Sequence, residues 1–279
     1  MDVVRALHGA LGSSEGFWLA VTGLGSDFAF IVLLCVYVFF VNPRGARDFG
    51  VFFALSLFTN GLVKTVLDLP RPFAADPGVA SEAARSTAGG PGFPSGHAQI
   101  STTVWGLTAL AVRSRVFWVV AALVVALVSL SRVVLGVHYP SDVLGGVLLG
   151  ALFVALAARV RVPQARGAWL YVVPLVALVL AALFPGVAYL PMSMGLLTGF
   201  WLTRASFEAH RHLWVRLLST VVGIALVFAV YLAFRVVPED VRRLGLVEAV
   251  RFAVLVLVAT EGVPRLLRLP RAPSSQAAA

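Results

Sequence analysis

Nine apolar runs follow one another along the chain, near residues 27–41, 48–64, 97–112, 116–131, 142–158, 168–184, 190–203, 216–234 and 247–263. Runs of this length with few internal charges predict helices that cross a bilayer, whose hydrocarbon core takes about 20 helical residues. Lipid gives the backbone no hydrogen-bond partner, so helix is the form that pairs every N–H and C=O within the segment. Residues 1–22 are mixed, and they predict an amphipathic helix lying along the interface. The stretch 69–96 is broken by Pro70, Pro72, Pro77, Pro91 and Pro94, which predicts a long loop and not a missed span. Loops of that length inside a compact domain usually carry function. The pattern as a whole predicts an all-α, polytopic membrane protein.

Composition agrees with the pattern. Only 13% of the 279 residues are charged, about half the ~25% of a soluble domain. Groups facing lipid need no charge, and a charge there costs free energy. The net charge of +9 raises nucleic acid as a partner, but its distribution argues against that. Arg44 and Arg47, then Arg113 and Arg115, then Arg159, Arg161 and Arg166, then Arg204, Arg211 and Arg216, and last Arg265, Arg268 and Arg271 occupy alternate breaks between runs. By the positive-inside bias those breaks are cytoplasmic. The segments 69–96 and 131–142 then face outward, to the periplasmic or extracellular side of the cell membrane. The outer break 235–245 runs against the bias with Arg235, Arg242 and Arg243, partly balanced by Glu239 and Asp240. Cys35 is the sole cysteine and lies inside an apolar run, so no internal disulfide is expected. Residues 1–16 lack a long apolar stretch, and no cleavable signal is expected there.

Three polar blocks stand in the outward segments. They are Lys64 with Arg71-Pro72, then Pro94-Ser95-Gly96-His97, then Ser131-Arg132 with His138 and Asp142. Lys64, Arg71 and Arg132 bring three cations to one side of the membrane, suited to a phosphate group carrying nearly two negative charges. Arginine offers a planar fork and lysine a compact point charge. Lys64 is the only lysine in the chain. Ser95 is placed to cap the helix that starts at the next apolar run, and Gly96 lets backbone approach a ligand closely. A helix N-terminus there favours an anion, and His97 in its first turn has a proton to give near neutral pH. Asp142 lies four positions after His138, so the carboxylate can hold one ring nitrogen and leave the other to attack.

These blocks resemble the K-x6-RP, PSGH and SR-x5-H-x3-D signatures of the type 2 phosphatidic acid phosphatase (PAP2) superfamily, matched at every specified position over about 80 residues. The resemblance implies a membrane phosphatase that needs neither cofactor nor metal. It assigns His138 as nucleophile forming a phosphohistidine, Asp142 as its orienter, and His97 as general acid and later base. It assigns phosphate binding to Lys64, Arg71, Ser95, Gly96, His97 and Arg132. Expected substrates are lipid phosphates or diphosphates of the undecaprenyl diphosphate, phosphatidic acid or phosphatidylglycerol phosphate type. On this reading residues 1–26 form an interfacial segment and 27–160 the catalytic core. Residues 161–270 add C-terminal transmembrane helices, and 271–279 form a disordered tail.

Plainer readings compete residue by residue. The three cations alone would pass for interfacial charges reaching to headgroups; it is their company with two histidines and an aspartate that favours chemistry. Asp68 reads best as an ion-pair partner of Arg71 or Lys64, and Ser131 as a helix-bonding serine. Tyr139 fits either the pocket wall or an interfacial aromatic. Gly195 and Gly199, four apart, favour close helix packing; shaping a lipid-access groove, forming a homo-oligomer contact or buttressing the core are the uses open to the C-terminal helices. A phosphatase of soluble esters such as sugar phosphates, a lipid phosphotransferase and a transporter are the rival functions. The transporter is disfavoured because the polar residues gather at one interface and no inverted repeat is visible.

Overall fold

The computed structural model describes residues 1–164, 166–204 and 207–270; the tail expected to be disordered lies outside them. In chain order the helices are α1 (Asp2–Leu11), α2 (Glu15–Gly23), α3 (Asp27–Val36), α4 (Ala46–Leu67), and the short α5 (Pro72–Ala75) and α6 (Glu82–Ser86). Then come α7 (Gly96–Val112), α8 (Arg115–Val134), α9 (Pro140–Arg159) and α10 (Trp169–Leu183). The last are α11 (Leu190–Leu202), α12 (Leu213–Ala233), α13 (Glu239–Arg242), α14 (Gly245–Leu257) and α15 (Val263–Leu266). Each apolar run of the sequence lies on one of them, and the protein is an all-α integral membrane protein.

Among the described residues, four stretches are long and apolar enough to cross a membrane: Pro43–Ala75, Arg115–Val134, Pro140–Arg159 and Leu213–Val236. Asp2–Gly23 with Phe28–Val41 makes a fifth if that broken pair counts as one span. This is fewer than the nine crossings expected. Helices α10 and α11 are apolar but only 15 and 13 residues long, short of the ~20 of a perpendicular crossing. Helix α7 carries Gln99, Ser101, Thr102, Thr103 and Thr108, because it faces protein and not lipid.

The chain divides into two compact units. The first comprises Met1–Phe30, Phe52–Val160 and Gly186–Leu190. Its centre is α7, which packs along both α8 and α9. Two glycines of α9 allow that approach: a β-carbon on Gly146 would meet Gln99 N at 3.1 Å, and one on Gly150 would meet Gln99 O at 2.8 Å. Buried polar groups need partners, and Gln99 and Thr103 of α7 find them on α4. Asn60 Nδ2 donates to Gln99 Oε1 (2.7 Å), Gln99 Nε2 to the Ser56 carbonyl (2.7 Å), and Ser56 shares a hydrogen bond with Thr103 (2.9 Å).

The N-terminal segment packs on the rest of this unit through part of its apolar face. Val4 is fully buried with Val79 and Val133, and Trp18 packs with Ala80, Ala84, Val134 and Val137. The rest of the apolar surface, at Val3, Leu11 and Phe17, stays exposed. The His8 ring also lies 3.0 Å from the Val134 carbonyl. The 69–96 loop folds as short turns capped by its own polar residues: Gly78 N donates to Asp76 Oδ1 (3.1 Å) and Ala84 N to Ser81 Oγ (3.0 Å). It reaches α8 at Gly136, whose φ of 67° suits glycine and whose absent side chain makes room for the Val79 carbonyl.

The second unit comprises Ile31–Val51, Arg161–Pro185 and the chain from Pro191 on. Here Gly195 and Gly199 of α11 are spent on α14: a β-carbon on Gly199 would meet Ala253 O at 2.9 Å, and one on Gly195 would run into the Ala249 carbonyl. The small-residue pair thus serves packing within the chain. Thr203 and Thr260 share a buried hydrogen bond of 2.8 Å.

Candidate active site

Four helix ends and the 69–96 loop of the first unit bring the singled-out side chains together. Lys64, in the last turn of α4, is 2% exposed. Its Nζ lies 2.5 Å from the Pro91 carbonyl and 3.4 Å from that of Gly92. Arg71 precedes Pro72, is held extended, and is buried. Its Nε donates to Gly90 O (2.8 Å) and Nη2 to Gly89 O (2.7 Å) and Pro91 O (3.1 Å). Its Nη1 donates to Val137 O (2.9 Å) and to His138 Nε2 (2.9 Å). A guanidinium has five N–H groups, and all five of Arg71 are engaged.

Arg132, in the last turn of α8, is 0% exposed. Its Nη1 donates to Thr22 Oγ1 (2.6 Å) and Thr87 Oγ1 (2.9 Å), and its Nη2 to Thr87 O (3.1 Å). Among the described residues its buried Nε has no partner. Ser95 caps α7 as expected, its Oγ accepting from Ala98 N at 3.5 Å. Its own N–H donates to the Asp142 carbonyl at 2.8 Å, which ties the second block to the third. Gly96 and His97 form the first turn of α7, and His97 is within electrostatic reach of Arg132, Arg71 and Lys64.

His138 lies between α8 and α9 and is 2% exposed. Its Nδ1 is 3.2 Å from Asp142 Oδ2, the oxygen that also accepts from Tyr139 N at 2.9 Å. Arginine can only donate, so Nε2 accepts from Arg71 and Nδ1 carries the proton toward Asp142. Nε2 was expected to stand free; it is instead covered by Arg71. Burial first, then the charges of Arg71, Arg132 and Lys64, hold the imidazole well below its usual value near 6.5. It is therefore neutral at neutral pH, with its lone pair on Nε2.

Asp68 corrects an expectation. It is exposed, with φ 43°, and among the described residues it forms no ion pair with Lys64 or Arg71, which both turn inward to loop carbonyls. Ser131 bonds its own helix at the Val128 carbonyl (2.6 Å). Tyr139 packs against Val4, Val79 and Val133 and buttresses the loop. The acceptors Thr22, Thr87, Gly89, Gly90 and Pro91 carry no motif and were not legible in the sequence. Chemically, the arrangement offers three fixed cations, a capped helix N-terminus, a neutral imidazole backed by a carboxylate, and a second histidine. That set suits a tetrahedral oxyanion, which would compete with the loop carbonyls for Arg71 and Lys64.

Comparison with known proteins points the same way. The PAP2 superfamily description matches residues 45–166, and that of the PAP2 superfamily phosphatase transmembrane extension matches residues 187–272. The undecaprenyl-diphosphatase of Sulfolobus acidocaldarius is 39% identical over 69 residues, 25% of this chain and 33% of that protein. Human sphingosine-1-phosphate phosphatase 2 is 31% identical over 139 residues, 48% of this chain and 34% of that protein. The phosphatidylglycerophosphatase B of Bacillus subtilis is 38% identical over 69 residues, 22% of this chain and 34% of that protein. The chain thus spans about a third of the length of the curated relatives it matches. No solved structure matches it.

Proposed function

The chain belongs to the PAP2 superfamily, with that superfamily's transmembrane extension, and from this we propose that it hydrolyses a lipid phosphate or diphosphate through a phosphohistidine on His138, without a metal. The observation that carries the reading is the convergence of Lys64, Arg71, His138 and Asp142 around the loop that ends at Ser95. In this mechanism the phosphate displaces loop carbonyls from Arg71 and Lys64. Arg71 swings its Nη1 from His138 Nε2 to a phosphoryl oxygen, and the nucleophile is uncovered as substrate arrives. Nε2 then bonds to phosphorus as the ester or anhydride P–O bond breaks, and His97 protonates the departing oxygen. Asp142 stabilises the imidazolium character that His138 gains. Water next attacks the phosphohistidine, giving its proton to His97, and phosphate and neutral His138 are restored. The fixed cations supply the charge compensation a metal would otherwise bring, and they disfavour a divalent ion.

The substrate's tail has a place to lie. A cavity of about 630 Å³ runs between α7, α8 and α9, walled by small and apolar groups including Gly106, Ala122, Ala126, Ala151 and Ala155. Its lining reaches Ser129, one helical turn before Arg132. Its volume is that of a ligand site, and its walls suit hydrocarbon. The arginine pattern puts the catalytic end at the outer leaflet.

A panel of lipid phosphates, lipid diphosphates and sugar phosphates, assayed on purified protein with EDTA, tests the reading. Turnover of an amphiphile with the chelator present is expected; turnover that vanishes with EDTA and returns with a divalent ion removes the metal-free mechanism. Filling the cavity with Ala126→Phe should raise KM for long-tailed substrates about 10-fold, the scale of a few lost methylene contacts, and leave a short-chain phosphate unaffected. Equal KM changes for both would place the tail elsewhere. Thr22→Val removes one acceptor from Arg132 while keeping side-chain shape. A hydrogen bond to a charged group contributes ~1.5–3 kcal/mol to stability, so the melting temperature should fall, and kcat/KM should fall with it as Arg132 loses its fixed position.

A further inference from the structure

The segment after α10 reaches back to this site. Gly186–Leu190 belongs to the first compact unit, although α10 before it and the chain after it belong to the second. It docks on α4: Ala188 N donates to Thr65 Oγ1 at 3.3 Å, and the Ala188 carbonyl occupies the space a side chain on Gly61 would need. The next residue, Tyr189, has a φ of 57°, a left-handed conformation that a bulky side chain adopts at a steric penalty. Backbone held this way gathers at functional sites, where surrounding contacts enforce it.

Here the conformation delivers a phenol to the N-terminus of α7. A β-carbon placed on Gly96 would lie 3.1 Å from the Tyr189 hydroxyl. Tyr189 is also near enough to both Arg71 and Arg132 to act on them. The next polar atom, Asn60 Oδ1, lies 3.7 Å from the same point. The amide nitrogen of Asn60 donates to Gln99, and the oxygen that faces this point can only accept. An anion over Gly96 needs a donor on this side, and the phenol O–H is the group in position to give it.

We propose that Tyr189 is a further phosphate-contacting residue, its hydroxyl donating a hydrogen bond to a phosphoryl oxygen held over Gly96. This rests on the phosphatase reading above. It gives the transmembrane extension, whose match begins at residue 187, a direct part in the chemistry through the turn that opens it. The phenol keeps its proton throughout and acts as a neutral donor. Its hydrogen bond strengthens as charge spreads over the peripheral oxygens in the transition state, so its loss falls on kcat more than on KM.

The test uses full-length protein and orthovanadate, which takes up the five-coordinate geometry of phosphoryl transfer. Tyr189→Phe keeps the ring and removes the hydroxyl; Tyr189→Gly removes both and relaxes the backbone. Tyr189→Phe should lower kcat/KM about 10- to 100-fold, mostly through kcat, on the scale of one oxyanion donor. It should weaken orthovanadate binding by a similar factor, with the melting temperature unchanged. Tyr189→Gly should lose as much, despite its unstrained backbone, and it decides the matter if the phenylalanine variant does not fold. Orthovanadate binding within twofold of wild type in a folded variant overturns the proposal and leaves the phosphatase reading standing. A wild-type protein that neither turns over any phosphate of the panel nor binds orthovanadate overturns both.

Discussion

His138→Ala should lose turnover about 10⁴-fold or more, the scale seen when a covalent nucleophile is removed, and should fail to take up label from a ³²P-phosphate substrate. Wild-type protein quenched in mid-turnover should carry that label on one histidine. The variant creates a modest hole beside Arg71, which then keeps its contacts with Val137 and Gly89–Pro91, so folding is expected to persist. Label or full turnover in the alanine variant would remove the nucleophile assignment. The pH profile follows from the same side chain. Its proton affinity is lowered, chiefly by burial and then by Arg71, Arg132 and Lys64. A lowered pKa keeps the imidazole neutral as pH falls, so the neutral nucleophile is lost only well below 6.5. Between about pH 7.5 and 6.5, where a free histidine would begin to charge, His138 should therefore contribute no decline in kcat/KM. A fall across that window that Asp142→Asn moves would contradict the neutral, carboxylate-backed imidazole.

Arg71→Ala should lower kcat/KM about 10³-fold, the upper end for one oxyanion donor, because Arg71 has more than one task. It brings a cation to the site, covers His138 Nε2, and ties down the carbonyls of Gly89, Gly90 and Pro91. Arg71→Lys should recover little of the loss, since one ammonium cannot span both the loop and the histidine side as the planar fork does. Amide hydrogen exchange across residues 87–92 separates these tasks. Faster exchange with lost turnover fits both; lost turnover with unchanged exchange would mean that Lys64 alone holds the loop. Near-normal kcat/KM in the alanine variant would remove Arg71 from the phosphate site.

Much of the fold was legible because it depends on local pattern. Apolar runs became helices, Ser95 became an N-cap, Pro140 opened α9, and the proline-rich 69–96 stretch became a loop of short turns. Where a local pattern has two uses, the sequence left the partner open. The apolar face of residues 1–22 suits a lipid interface as well as a protein surface, and α8 with the loop claimed part of it through Val4 and Trp18. Gly195 and Gly199 favoured close helix packing in the sequence, and the structure names α14 as the helix they pack on. Asp68 stood near two cations in sequence, but the left-handed end of α4 turned it to the surface while Lys64 turned in.

Sequence by itself determined that this is a helical membrane protein and which cations, histidines and carboxylate stand at helix ends and in the loop. Hydrophobic period, caps and prolines act over a few residues, so they can be read one segment at a time. Only the tertiary structure decided what those side chains touch: Thr22 and Thr87 on Arg132, three loop carbonyls and His138 Nε2 on Arg71, and the phenol of Tyr189 beside Gly96. Donors and acceptors are matched by position in space, across 110 residues of chain for Thr22 and Arg132, and backbone carbonyls, which every residue has, leave no mark in the sequence when they are chosen.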